Sequence, residues 1–314
     1  MPGDNIMSVS ESVSFKKIKH KKKKLTKDKV LRIFIYAFFA AFIVVTLYPL
    51  FHLLALSFND SYDSRIAVIR LIPHQWSLEN YKKLLLGSYT NFRRGILVSL
   101  IRTVIGTSTA LISSAFLAYI LSRKRFLFKK GLSIFWFITM YAQGGIVPTL
   151  ILYRNLNLTG TFWVYIIPYM ISVFNVFVMK TYMQGIPYSF EEAAQLEGAG
   201  YLKIFWHITA PICKPVFAVT ALFVAAAQWN SWFDAWIYNR FESKYTTLFF
   251  ELMKFYSTVS APKDAVMITF KNNPTTPETL KAAGCILGML PLVIAYPFFQ
   301  KFFVEGITIG GVKE

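Results

Sequence analysis

The side chains that break and make bonds are few in this chain and far apart. His20, His52, His74 and His207 are scattered, and no nucleophile stands at a spacing that would set it beside a base. Cys213 and Cys285 lie in or beside apolar runs, with no CxxC or Cys/His cluster, so neither a metal site nor a disulfide framework is indicated. A phosphate-binding loop of the GxxxxGK type followed by Ser or Thr is absent, so this chain does not hydrolyse a nucleotide itself. No catalytic residue is assigned. The polar residues that do attract notice sit within or beside apolar runs: Arg102, Gln143, Asn175, Gln228 and Asn230, the last two beside Trp229, Trp232 and Trp236. Amides, hydroxyls and flat rings bind by hydrogen bonding and stacking rather than by proton transfer.

The densest informative stretch runs from Ile186 to Pro211. Ser189 with Glu192 three positions on has capping-box spacing, and Pro187 precedes it, which starts a short helix. Phe190, Ala193 and Ala194 are expected to form its apolar face. Gly198 and Gly200 end it with a tight turn, because glycine tolerates positive φ. Tyr201, Ile204, Phe205 and Ile208 then recur at i, i+3, i+4 and i+7, an amphipathic stripe that Pro211 closes. The result is a helix–turn–helix elbow. Small side chains at Ala193 and Ala194 would let another protein surface approach closely. On the residues alone, an amphipathic hairpin lying on lipid is the alternative.

The elements that position these residues are set by the bilayer. The chain of 314 residues is 55% hydrophobic, 17% aromatic and only 16% charged, too apolar for an ordinary soluble domain. At a rise of about 1.5 Å per residue, about 20 residues cross a hydrocarbon core roughly 30 Å thick. Six stretches qualify, near 33–57, 95–121, 131–151, 162–184, 212–230 and 280–303. Gly144-Gly145 with Pro148 is expected to break the third, and Pro49, Pro168, Pro291 and Pro297 to kink theirs. Arg102, about two turns below the outer end of the second span, is expected to snorkel outward or face a partner.

The net charge of +18 is concentrated ahead of the first span, at Lys16, Lys17, Lys19, Lys21 to Lys24, Lys27, Lys29 and Arg32. A block placed there reads as a topology signal in contact with anionic lipid, not as nucleic-acid binding. It puts the tail 1–32 in the cytoplasm. The 122–130 loop, with Arg123, Lys124, Arg125, Lys129 and Lys130, then falls inside as well, and so does the elbow 186–211. The long 231–279 segment falls outside, where Arg240, Lys244, Lys254, Lys263 and Lys271 balance five acids, and a short helix is expected near 247–256. Residues 33–304 form the membrane domain and 305–314 a short cytoplasmic tail. The first apolar run is too long for a cleavable signal peptide.

The elbow resembles the EAA signature of binding-protein-dependent ABC importer permeases: Glu192, Ala193 and Ala194, then Gly198 and Ala199, then Phe205, Ile208 and Pro211 at the family's offsets, with Pro215 also in place. Glu197 stands where the family usually has Asp, and Ala210 where it usually has Leu; both departures bear on docking strength. The resemblance covers roughly 30–314. It implies an all-α, type I importer permease of six transmembrane helices, with a cytoplasmic coupling helix–turn–helix that seats in an ATP-hydrolysing subunit. Glu192, Ala193, Ala194, Glu197, Gly198, Ala199, Phe205, Ile208 and Pro211 are then ATPase-coupling residues, with Gly198 as pivot and Glu192 as the capping and polar contact. The implied partners are a dimer of ATP-binding subunits, a second permease subunit, typically a different chain, and an extracellular solute-binding lipoprotein. No cofactor is bound by this chain; ATP and Mg belong to the partner ATPase. The implied location is the bacterial cytoplasmic membrane, with both termini cytoplasmic.

Gly144 to Pro148, Gln228 to Ala235 and Pro297 to Phe303 continuing through Ile309-Gly310 resemble the carbohydrate-uptake branch, and within it the complex-glycan permeases paired with lipoprotein binding proteins. Sugars present hydroxyls and apolar ring faces, so they suit amides plus flat aromatics. Gln143, Asn175, Gln228, Trp229, Asn230 and Trp232 are the candidate substrate contacts. For Gln143 and Asn175 an interhelical hydrogen bond is the alternative, and for Trp229, Trp232 and Trp236 an aromatic belt. Asp234 reads as solvated or paired. A peptide or polyamine permease is the neighbouring reading. An ion-driven carrier would call for inverted repeats and intramembrane carboxylates, and neither is visible.

Overall fold

A chain this apolar has to satisfy its backbone polar groups within itself, and helices do so segment by segment. The computed structural model describes residues 22–61, 63–66, 71–87, 91–142, 144–259 and 276–311. Gln143, the lysine run up to Lys21 and the 260–275 part of the long loop lie outside the described residues. Contacts divide the chain into two units, Met1–Phe51 and His52–Glu314. The described part of the first is a single helix, α1 (Lys22–Ser57), whose last two turns belong to the second and which carries Pro49 inside it.

The second unit continues with α2 (Asp63–Ile66), α3 (Glu79–Leu86), α4 (Phe92–Ser122), α5 (Lys129–Tyr141) and α6 (Ile146–Asn155). Two 3-10 turns, Phe162–Tyr165 and Ile167–Tyr169, lead into α7 (Val173–Gln184). The elbow follows as α8 (Ser189–Leu196), α9 (Tyr201–Ile204), a π-turn Phe205–Thr209 and α10 (Ala210–Ile212). Then come α11 (Lys214–Asn230), α12 (Phe233–Tyr238), α13 (Leu248–Val259) and α14 (Pro277–Gly311). Among the described residues there is no strand, only an isolated bridge between Asn59 and Trp76.

Three helical stretches are long and apolar enough to cross a membrane: Asp28–Ser57, Phe92–Ser122 and Glu278–Gln300. Three bent pairs pass the same test together, giving up to six spans if each pair is one: α5 with α6, Phe162–Tyr169 with α7 at a bend of 42°, and Tyr201–Ile212 with α11 at a bend of 80°. The sequence anticipates the first break, where Gly145 has φ +83° just ahead of α6. For the fourth stretch the sequence expects a kink at Pro168, and for the fifth a start at Ile212, just past the elbow. In the structure the fourth is 3-10 around Pro168 and becomes α-helical only at Val173, after Ser172 accepts the N–H of Asn175. The fifth turns at Cys213, between Pro211 and Pro215. The helix before that turn runs from Tyr201 to Ile212, one residue past Pro211, so the end expected at Pro211 holds. The helix expected near 247–256 is present as α13.

At the centre lies α4, packed against α7, α11 and α13. Gly95, Ser99, Gly106, Ala110, Ser114, Ala118 and Ser122 are all buried on it, most of them four residues apart. In lipid there is little hydrophobic drive between helices, so such a small-residue face lets backbones approach and gain van der Waals contact. A Cβ on Gly95 would lie 3.1 Å from the backbone of Leu248, which shows how closely α13 approaches. Apolar clusters fasten the two ends of α4: Tyr119, Leu121, Met179, Met183, Phe205 and Val216 at one, Phe92, Trp229, Leu248, Leu252 and Leu280 at the other.

Candidate functional site

Several places among the described residues combine polar chemistry with access, and two of them hold most of the residues singled out from the sequence. The first is a cleft of about 410 Å³ walled by α4, α7 and α11 and lined by Arg102, Tyr169, Ser172, Asn175, Phe223, Gln228 and Ser231, among others. The break ahead of α7 sets Asn175 in that helix's first turn, beside the capping Ser172. Among the described residues the Asn175 side-chain amide has no hydrogen-bond partner, which leaves it to the cleft. Tyr169 and Phe223 keep 44% and 58% of their surface exposed, which brings two aromatic rings to the cleft.

Arg102 supplies the cleft's fixed charge and is only 2% exposed. Its guanidinium forms a two-pronged pair with Asp234, with Nη1 donating to Oδ1 at 3.0 Å and Nη2 to Oδ2. Its Nε donates to Gln228 Oε1 at 2.7 Å, and the group lies 4.5 Å from the centre of the Tyr165 ring. Ser231 Oγ and the Ala235 N–H each donate to Asp234 Oδ1 at 2.8 Å. The reason is solvation: an arginine buried in an apolar helix survives only if a carboxylate and further acceptors replace water. Of the two expectations for Arg102 the second holds: it faces a partner, Asp234, rather than snorkelling outward. Gly106 makes the room, since a Cβ there would fall 2.8 Å from the Gln228 amide nitrogen.

The second place is the elbow. Its first helix ends in a Schellman closure: Ala199 N–H bonds to Ala194 O at 2.9 Å and Gly198 N–H to Gln195 O at 3.0 Å. Gly198 has φ +78°, a left-handed conformation that favours glycine, whereas Gly200 at φ −72° needs no such freedom. The expected Ser189–Glu192 capping box does not form. Tyr188, just after Pro187, is already helical and its carbonyl takes the N–H groups of Glu191 and Glu192, so the helix begins one residue early. The expected apolar face is also corrected. Ala194 is buried, but Phe190 is 51% exposed and Ala193 and Glu192 are exposed as well, because Glu191 turns inward. In the second arm, Ile204 and Phe205 are buried and Ile208 half-buried, as the stripe predicts, while Tyr201 is 50% exposed.

No family model matches the chain. In structure it resembles a bacterial ABC transporter involved in the import of the acidic polysaccharide alginate, with a TM-score of 0.80 and 26% identity, covering 88% of this chain and 98% of that one. A galactooligosaccharides transport system permease protein of Bacillus subtilis is 27% identical over 90% of this chain and 95% of its own length. A polygalacturonan/rhamnogalacturonan transport system permease protein of the same organism is 31% identical over 288 residues, 91% of this chain and 99% of that protein. This chain belongs to the permease family of ABC transport systems. It is an integral membrane protein and a transport component, not an enzyme.

In this permease the sequence-derived candidates separate. Asn175 and Gln228 meet in the cleft, Gln228 with its Oε1 committed to Arg102. Trp229 does not reach it: the ring is buried and its Nε1 donates to Gly288 O at 2.8 Å, fastening α11 to α14. Asn230 is exposed at the end of α11, and Trp232 packs half-buried against a cluster that holds Val164, Tyr165 and Phe250. Tyr169, Ser172 and Phe223 were missed, because their place in the cleft follows from the break ahead of α7 and from helix rotation. The ion pair of Arg123 with Glu191, which ties the elbow to α4, was missed too. Its signal was an arginine just past one helix end and a glutamate in the first turn of another.

Proposed function

We propose that this permease forms half of the translocation pathway of an ATP-driven importer, and that its cargo is a sugar or oligosaccharide. The observation that carries the cargo assignment is the cleft, where Asn175, Gln228, Ser172 and Ser231 stand beside the rings of Tyr169 and Phe223. Sugar rings present hydroxyls at their edges and C–H groups on their faces, so amides and hydroxyls beside aromatic rings suit them. A peptide or polyamine would bring ionised groups, and the charge lining the cleft, Arg102, is already matched by Asp234. The oligosaccharide names of the relatives agree with this cargo.

The drive comes from a dimer of ATP-binding subunits that carries the ATP and Mg. The elbow docks there through Glu192, Ala193, Ala194, Glu197, Gly198, Ala199 and Pro211, with Phe205 and Ile208 seating its second arm on the bundle. Exposure of Phe190, Glu192, Ala193 and Glu197 on the outer side of α8 supports this. The transporter then alternates between two states biased by nucleotide. A second permease of different sequence completes the pathway, and an extracellular solute-binding lipoprotein delivers the sugar. The basic 122–130 loop and the elbow lie on the cytoplasmic side of a bacterial plasma membrane, as do both termini.

The test is uptake by the reconstituted transporter with its binding protein. Asn175→Leu combined with Phe223→Ala lowers the maximal rate several-fold while the binding protein holds its sugar as before. An unchanged rate would remove the cleft assignment, and ATP-dependent uptake of a polyamine or peptide in place of sugar would overturn the cargo.

A further inference from the structure

The pair missed from sequence lies where the elbow meets the bundle. Arg123 follows the last residue of α4, and Glu191 sits in the first turn of α8. Arg123 Nη1 donates to Glu191 Oε2, and the side chains are only 15% and 7% exposed. Each charge is also stabilised by its own helix, the cation at the negative C-terminal end of α4 and the anion at the positive N-terminal end of α8. Neighbours hold both in place. The Arg123 guanidinium lies 4.3 Å from the centre of the Tyr119 ring, its Nη2 donates to Ser122 Oγ at 2.9 Å, and Gln195 Nε2 donates to the second Glu191 oxygen at 3.2 Å. The Tyr119 hydroxyl donates to Tyr201 O at 3.1 Å, so one turn of α4 grips both arms of the elbow.

The surroundings show what this contact does. Arg123 and Glu191 line two clefts, of about 210 and 350 Å³, so open space flanks the bridge. Away from the elbow, α4 runs without a break or a proline to Arg102, which lines the cargo cleft with Gln228 and is held there by Asp234. The separation of the two arginines is about 31 Å at the helical rise. An uninterrupted helix held at one end by a part-buried ion pair and farther along by a buried one moves as a rod.

We infer that the Arg123–Glu191 bridge is the transmission joint of this permease: it passes displacement of the elbow to α4, and α4 carries it to the Arg102–Gln228 wall of the cleft. Both residues are positioning residues, acting through α4 and touching neither nucleotide nor cargo. The inference rests on the reading of the elbow as the ATPase contact. A bridge that merely held the fold would lower stability without altering how many sugars move per ATP.

The experiment measures sugar transported per ATP hydrolysed by the assembled transporter in proteoliposomes. It compares wild type, Glu191→Gln, Arg123→Gln, the double variant, Arg123→Lys, and the exchange of Arg123→Glu with Glu191→Arg. Wild type must first co-isolate with the ATPase; if it does not, the elbow reading fails, and the joint with it. Given that complex, each neutralising variant drops the ratio at least several-fold. The double variant is no worse than either single one, Arg123→Lys retains most of the ratio, and the exchange restores a substantial part of it. A wild-type ratio in Glu191→Gln, or additive losses in the double variant, would overturn the inference. Should a single variant fail to assemble, the exchanged pair decides: assembled and coupled supports the joint, assembled and uncoupled refutes it.

Discussion

Arg102 shows how one side chain organises its surroundings. Buried in an apolar helix, it draws Asp234, Gln228 and the Tyr165 ring around it, and Gly106 leaves the space. Removing one partner from a buried pair strands the other charge, at a cost of about 3–5 kcal/mol. Asp234→Leu is therefore expected to lower the thermal midpoint and yield of the detergent-solubilised protein sharply, and adding Arg102→Met to recover most of the loss. An Asp234→Leu variant as stable as wild type would show that the charge finds water. Trp229→Phe keeps the ring packing and loses the bond to Gly288, so about 1 kcal/mol of stability should go while uptake per assembled transporter persists. A large uptake defect at unchanged stability would instead return Trp229 to the cargo path. Sequence showed that a lone cation in a span needs a partner, and it offered Asp234 as paired or solvated. It did not join the two, because their 132-residue separation closes only when α11 packs on α4.

At the scale of the element, the helices divide by how regular they are. The small-residue face of α4 and the glycine break at Gly145 were legible as a long span and a broken one, because composition and φ preference act locally. The bend before α7 and the turn at Cys213 were legible as a kink at Pro168 and a helix end at Pro211, but the bend angles and the 3-10 turns were not, since tertiary packing sets them. In the elbow the glycine turn was read correctly, but the inward face of α8 was assigned to alanine and phenylalanine. A hydrophobic pattern cannot show that a glutamate goes inside when an arginine waits there. Gly198 tests the turn. A β-carbon there meets no neighbour within 4 Å, yet φ +78° strains any L-residue by about 1–2 kcal/mol. Gly198→Ala should thus preserve the fold and weaken sugar uptake per ATP modestly, and Gly198→Asp should abolish it. Equal effects of Ala and Asp would mean that backbone strain, not docking, is what the position controls.

The whole molecule offers two open features, a cleft and an elbow. Its cleft is walled on the described side by three helices, and its elbow presents Phe190, Ala193 and Leu196 outward, the last with 90% of its surface exposed. Both features make sense in a larger assembly. The family was legible in the sequence because its signature is a run of ordered positions in one loop; the cleft was only half legible, since its walls come from three helices far apart in the chain. The most direct measurement is ATP-dependent uptake of labelled oligosaccharide by proteoliposomes carrying this chain together with the proteins that co-purify with it, with and without Gly198→Asp. The account predicts that an ATPase and a second permease co-purify, that uptake needs ATP, and that the variant stops it. Uptake by this chain alone, driven by an ion gradient with no ATPase attached, would contradict it.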